Sequence, residues 1–340
     1  MRLFDLHCDT IEELKKRGED YLNCTTQFSL RDRDKLQKAV QVMAVFVPDD
    51  IRGPEAVQFV LDYHQYMDDQ VRKTGGQAEL VEKITDLDRI LDEGKWAFIR
   101  SIESGAALNG DLDNINRFAD LNFKMLGLVW NGANELGSGP NNDTGLTVFG
   151  KEAVKRMEQV GMIVDCSHLN DAGFEDLLNI AERPFVASHS NVRACCSHPR
   201  NLTDAQFKEL VRRGGLCGLN LFSRFIDDDD NGSKDYLLRH IYHMLELGGE
   251  DVIAWGGDMD GEITCDPDLS TPYGVGRFAD YLLEHGIGKR PCRRFSLTMH
   301  TGSLNNKSND VLKGNTIWKQ LACISTGSAG NWQWERIGRC

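Results

Sequence analysis

Arg2-Leu3-Phe4-Asp5-Leu6-His7-Cys8-Asp9-Thr10 sets a short apolar run directly ahead of an imidazole and a carboxylate two positions apart. Read as a β-strand over residues 3–7, the run carries His7 and Asp9 toward one point, because residues i and i+2 of a strand project from the same face. Imidazole and carboxylate together favour zinc or a similar first-row ion over calcium or magnesium, which prefer all-oxygen shells. An H-x-D triplet arises often by chance, so its meaning rests on what the rest of the chain sets beside it.

Outward from that strand, short apolar, β-branched or aromatic runs alternate with longer amphipathic segments, the pattern of βα units around a parallel sheet. Eight runs predict strands over 3–7, 40–46, 96–103, 123–130, 162–168, 185–189, 215–221 and 252–258. Helices are predicted over 55–73, 115–121, 151–160, 171–181, 203–213, 234–247 and 276–285, with start signals at Asn170 or Asp171 and at Thr203-Asp204. Eight strands with interposed helices predict an α/β fold, a (β/α)8 TIM-type barrel, whose chemistry comes from strand C-termini and the loops after them. His7, Glu103, Trp130, His168, His189 and Asp258 each fall at the end of a predicted strand. Ionisable groups at the same end of five strands converge on one mouth.

His168 lies in Asp165-Cys166-Ser167-His168 and His189 in Ala187-Ser188-His189-Ser190, on what should be neighbouring strands. Glu103, in Ser101-Ile102-Glu103-Ser104-Gly105, follows an apolar strand and is costly to bury without a cation or donor beside it. His7, Asp9, Glu103, His168 and His189 form a set able to hold two zinc ions if one carboxylate bridges them, and Glu103 is the natural bridge. A bridging hydroxide between two metals is a nucleophile at neutral pH, and the metals polarise a carbonyl oxygen. That chemistry predicts hydrolysis of an amide or ester. In Trp255-Gly256-Gly257-Asp258-Met259-Asp260-Gly261, Asp258 is placed to take a proton from the attacking water and give it to a leaving amine, with Asp260 as the other candidate.

The 340 residues fit one large barrel or two smaller domains, and 41% hydrophobic with 27% charged residues is the composition of a globular protein with a large core. A net charge of -13 argues against a nucleic-acid polyanion as partner. No apolar run reaches bilayer length and no basic-then-apolar leader opens the sequence, which predicts a cytoplasmic protein without membrane insertion. The ten cysteines are scattered, only Cys195 and Cys196 being adjacent, and read as reduced thiols.

These motifs together resemble the membrane (renal) dipeptidase family, zinc enzymes with an amidohydrolase-like barrel. Asp5-Leu6-His7-Cys8-Asp9 resembles the family's opening H-x-D, and Ile102-Glu103-Ser104 the segment with its bridging glutamate. His168 and His189 match the two histidines of the second zinc. The stretch from Ser188-His189-Ser190 to Arg200-Asn201-Leu202 is similar to the family's S-H-S followed by R-N, which implies that Arg200 holds the substrate carboxylate. A guanidinium suits that role because it grips a carboxylate with two hydrogen bonds. Gly256-Gly257-Asp258-Met259-Asp260-Gly261 is similar to the G-x-D-F-D-G segment, implying an acid/base or substrate contact at Asp258. The resemblance further implies a dipeptide substrate, tolerance of a D-residue at its second position, and a homodimer.

Two features depart from the family. Where its mammalian members carry a substrate-contacting histidine after the fourth strand, this chain has Trp130 followed by Asn131-Gly132-Ala133-Asn134. An indole donates one hydrogen bond and neither accepts nor titrates, so Trp130 N–H, Asn131 or the metal must stabilise the oxyanion, unless Trp130 only packs the barrel rim. The resemblance fades after the helix over 276–285. Residues 286–340 hold nine Lys/Arg, two Asp/Glu and three of the six tryptophans, for a charge of +7 against -20 upstream. That composition reads as a basic tail foreign to the barrel of residues 1–285. The expectation is a binuclear zinc dipeptidase. Its rivals are a two-metal amidohydrolase acting on a cyclic amide, lactone or deaminase substrate, which usually opens with H-x-H, and a metal-binding scaffold without turnover.

Overall fold

The computed structural model describes residues 2–36 and 38–287, and the basic tail expected from residue 286 onward lies almost wholly outside the described residues. In chain order the elements are β1 (Arg2–Cys8), α1 (Thr10–Arg17), β2 (Lys38–Phe46), α2 (Pro54–Lys73), β3 (Ala78–Leu80), α3 (Asp86–Asp92), β4 (Trp96–Glu103) and α4 (Asp113–Asp120). They continue as β5 (Phe123–Gly127), α5 (Val148–Val160), β6 (Ile163–Asp165), α6 (Asp171–Ile180), β7 (Val186–Ala187), α7 (Asp204–Arg213), β8 (Leu216–Leu219), α8 (Ser223–Ile226), α9 (Lys234–Glu246), β9 (Ile253–Trp255) and α10 (Pro272–Glu284).

All pairings are parallel, and every strand except β3 belongs to a closed ring, β1-β2-β4-β5-β6-β7-β8-β9, sealed where Asp5 pairs with Trp255. This is the eight-stranded barrel that the sequence predicts. A separate apolar cluster fills its lumen, drawing Phe4 and Leu6, Val40 and Val42, Ala97 and Ile99, Met125, Val186, Leu216 and Ala254 from seven of the strands. Val81, Leu87, Ile90 and Leu91 join it from the β3–α3 segment. Because β3 pairs with the first residues of β4 (Ala78 opposite Trp96), that segment closes the amino end of the barrel. The other end is left for the site.

The helices begin where the sequence signals them. Asn170 caps α6 by accepting from Gly173 N, and Thr203 closes a reciprocal capping box with Gln206 at the start of α7. Four predicted strand ends that carry site residues need correction. The runs predicted over 123–130, 162–168, 185–189 and 252–258 leave the sheet at Gly127, Asp165, Ala187 and Trp255, so Trp130, His168, His189 and Asp258 ride on the loops that follow. His168 (φ 70°) and Asp258 (φ 56°) adopt left-handed backbone that no strand sustains. The short elements β3, α1, α3 and α8 escaped the sequence reading because runs of three to eight residues carry too few periodic positions.

Candidate metal centre

The carboxyl ends of β1, β4, β6, β7 and β9 deliver polar side chains to one buried point. β1 has a register irregularity between Asp5 and Cys8, where three steps along β1 match two along β2. His7 lies in this bulge, its backbone N–H donating to Asp5 Oδ1 at 3.1 Å. Asp9, beyond the end of β1, sits at the N-cap of α1, yet its carboxylate makes no capping bond. Asp9 Oδ2 lies 3.6 Å from His7 Nε2 instead.

Glu103, the last residue of β4, stands in the middle. Its Oε2 is 3.2 Å from His7 Nε2, and its Oε1 is 2.9 Å from His168 Nε2 and 3.6 Å from His189 Nε2. The two Nε2 atoms of His168 and His189 approach within 3.0 Å of each other. Asp258 Oδ1 is 3.8 Å from His7 Nε2. All five expected ligands and Asp258 therefore meet, and all but Asp258 are more than nine-tenths buried.

The charges are strongly interdependent. Burial disfavours a proton on His7, but Glu103 and Asp9 beside it outweigh burial and hold its pKa well above the usual imidazole value. Burial works against ionised Glu103, yet His7 and His168 keep it well below the ordinary carboxyl range. His168 is pushed down to about 4 by burial and by Arg200, and His189 falls by burial and by His7. Burial raises Asp9 to about 7 and also raises Asp258.

These residues fit a pair of divalent ions. His7, Asp9 and Glu103 offer donor atoms within 4.8 Å of one another, and so do Glu103, His168 and His189. Both ring nitrogens of His7 and Asp9 Oδ1 are buried without a hydrogen-bond partner among the described residues, a cost that a bound cation would remove. Imidazole and carboxylate together are donors suited to zinc. Glu103 is the one residue common to both groups.

Around the donors, Asn131 Oδ1 takes His168 Nδ1 at 3.1 Å, so Asn131, expected to touch substrate, is placed to orient a ligand. Trp130 stacks edge-on against Phe46 at 4.7 Å and lies 6.4 Å from the His168 ring, forming one wall of the mouth. Arg200 is buried, and among the described residues its Nε is unpartnered and its guanidinium makes one long contact, Nη2 to His189 O at 3.5 Å. Phe225 lies under its guanidinium at 5.4 Å. Of the two aspartates left open by the sequence, Asp260 is consumed by structure: it accepts from Thr10 Oγ1 at 2.5 Å, Gln27 N at 2.7 Å and Phe28 N at 3.2 Å. Asp258 keeps Oδ1 toward the centre while Oδ2 accepts from Asn220 Nδ2 at 3.0 Å.

Four contributors were missed from sequence. Glu12, in the first turn of α1, is buried with Oε1 unpartnered and has its pKa raised to about 9 by burial, then by Asp9 and Glu103. Asn220 braces Asp258, and Asp165 and Ser188 lie behind His189. Asp165 and Ser188 were in view within the two histidine motifs, but only their place in the barrel gives them a role.

A family model described as membrane dipeptidase (peptidase family M19) matches residues 1–295. An uncharacterized protein in the pqqA 5' region of Klebsiella pneumoniae is 31% identical over 228 residues, covering 64% of this chain and 84% of that protein. A metallopeptidase from Rhodobacter sphaeroides, solved with a phosphinate mimic of the dipeptide L-Ala-D-Ala, superposes with TM-score 0.79 at 23% identity, covering 95% of this chain and 98% of that one. A second solved metallopeptidase, dipeptidase AC of family M19, gives TM-score 0.79 at 24% identity over 96% of this chain and 99% of its own.

Proposed function

The chain belongs to the membrane dipeptidase family, peptidase family M19, and on that premise we propose that it is a zinc-dependent dipeptidase with two ions per subunit bridged by Glu103. Metal-dependent dipeptidase-like hydrolysis is the activity of its family; the ion, the stoichiometry and the substrate are our reading. The observation that carries it is the division of Glu103, with Oε2 serving the His7 side and Oε1 the His168 and His189 side.

When bound, zinc supplies Lewis-acid polarisation of the scissile carbonyl and lowers the pKa of water. The protein does the rest. Arg200 holds the substrate carboxylate, since its buried guanidinium has unspent donors and, among the described residues, no carboxylate within hydrogen-bond reach. Asp258 takes the proton from the attacking water and delivers it to the leaving amine, and its raised pKa favours holding that proton between the two steps. Trp130 and Phe46 exclude water from one side.

The ligand of the Rhodobacter sphaeroides structure supports including D-residues at the second position. We propose a homodimer, as the family resemblance implies, and a reducing, cytoplasmic setting, supported by free thiols at Cys8, Cys24, Cys166, Cys195, Cys196, Cys217 and Cys265. The test is release of amino acids from a panel of L-L and L-D dipeptides, with Glu103→Ala as control and circular dichroism on both proteins. Hydrolysis lost on chelation and in the variant supports the reading. A folded protein with bound zinc that cleaves none of the panel overturns it.

A further inference from the structure

Behind His189 runs a buried chain of hydrogen bonds that ends on a carboxylate. Asp165, the last residue of β6, accepts from two backbone N–H groups at Oδ1, Ser167 at 3.0 Å and Ser188 at 2.9 Å. Its Oδ2 is 2.5 Å from Ser188 Oγ. Ser188 Oγ in turn is 2.7 Å from His189 Nδ1. Ser167 Oγ accepts from the His189 backbone N–H at 3.1 Å. Asp165, Ser188 and His189 are 4%, 0% and 1% exposed, so water does not compete for these bonds.

The direction of the chain follows from donor supply. A carboxylate only accepts, so the single hydroxyl proton of Ser188 goes to Asp165. Ser188 Oγ can then meet His189 only as an acceptor, which requires the ring proton to be on Nδ1. His189 Nε2, facing Glu103 Oε1, is left with its lone pair toward the metal centre. The backbone beneath is fixed as well: a Cβ on Gly218 or Gly256 would lie 1.9 Å or 1.8 Å from Ser188 O, so two glycines clamp the serine in place.

We propose that Asp165, acting through Ser188, is the positioning residue that sets the His189 tautomer and thereby the affinity of the second metal position. The inference rests on the two-metal reading. Asp165→Asn is the informative change, because it keeps shape and reverses polarity. In that variant the amide oxygen still accepts the two backbone N–H groups, while the amide nitrogen donates to Ser188 Oγ. The hydroxyl then turns toward His189 Nδ1, and the ring proton moves to Nε2, blocking the ligand atom. Ser188→Ala only releases the ring.

The experiment loads metal-stripped wild type, Asp165→Asn and Ser188→Ala with zinc against a chromophoric chelator, and reads imidazole nitrogen shifts of the stripped proteins by NMR. Wild type should bind two ions with His189 protonated at Nδ1. Asp165→Asn should lose about 10–100-fold in affinity for one ion only, and its His189 proton should move to Nε2. Ser188→Ala should lose less without a tautomer change. Two ions bound equally tightly by wild type and Asp165→Asn overturn the relay and leave the two-metal reading intact, as does a wild-type His189 protonated at Nε2. Failure of wild type to bind a second ion overturns the two-metal reading and the relay with it. Should Asp165→Asn not fold, a Ser188→Ala protein with undiminished affinity at both positions overturns the relay by itself.

Discussion

Asn220 Nδ2 donates to Asp258 Oδ2 at 3.0 Å, and this single bond leaves Asp258 Oδ1 directed at the centre, 3.8 Å from His7 Nε2. A group that moves a proton during turnover needs one oxygen anchored and the other free. Asp258→Asn should therefore lower kcat by about 10²–10⁴-fold with both metal ions retained. Asn220→Ala should cost a smaller factor in kcat. Metal analysis beside steady-state kinetics checks both, and loss of metal in Asp258→Asn would make the residue a ligand instead.

Arg200 is expected to act on binding. Arg200→Lys keeps the charge but loses the two-pronged grip, so KM for a free dipeptide should rise by at least about 10-fold with kcat less affected. The corresponding dipeptide amide should be a poor substrate of both proteins. An unchanged KM would remove Arg200 from the substrate carboxylate.

Removing metal should make stability strongly pH-dependent. Without a cation, Asp9 is raised to about 7 and Glu12 to about 9 from ordinary values of 3.8 and 4.5, and His7 is raised well above 6.5. Each binds a proton in the folded state that the unfolded chain has released, so stability falls as pH rises toward those values. His168, lowered to about 4, and His189 act oppositely, adding stability as pH rises to 6.5 and nothing beyond. Glu103, held low, adds stability that is complete above 4.5. The stripped protein should thus melt progressively lower from pH 6.5, where the histidine contribution is complete, toward pH 9, and zinc should flatten the decline by holding Asp9 ionised. A stripped protein whose Tm is constant from pH 6.5 to 9 contradicts this assignment.

Gly256→Ala should destabilise the barrel by on the order of 3 kcal/mol, because the new methyl meets the Ser188 carbonyl from a backbone that the Gly256 N–H bond to Leu219 O holds in place. Exposed Gly18, whose left-handed φ of 67° carries no neighbour within 4 Å, should lose less on the same change. Chemical denaturation of the two variants compares them.

The barrel was legible because its strands are apolar runs of the right length, and β4 was read to the residue, Trp96–Glu103. The donors were legible because histidines and carboxylates directly after such runs must share one end of the ring. What escaped was whatever depends on backbone detail. The spacing of His7 and Asp9 suggested one face of a strand, but a bulge turns His7 inward and a helix cap supplies Asp9. His168 and Asp258 turn on left-handed backbone that their residue types do not announce. Asn131 pointed to substrate from its neighbourhood and holds His168 in the fold. Glu12 was missed together with its helix, and its burial beside the centre comes from how α1 packs on β2.

The central claim is a two-metal centre bridged by Glu103 that hydrolyses dipeptides, and its most direct test is a zinc titration of the stripped protein with dipeptide hydrolysis as the readout. The account predicts no hydrolysis without metal and a rise that levels off at two equivalents per chain, with no such plateau in Glu103→Ala. Hydrolysis that persists in the stripped protein, a plateau at one equivalent, or none at any zinc concentration in a folded, zinc-loaded protein would contradict it.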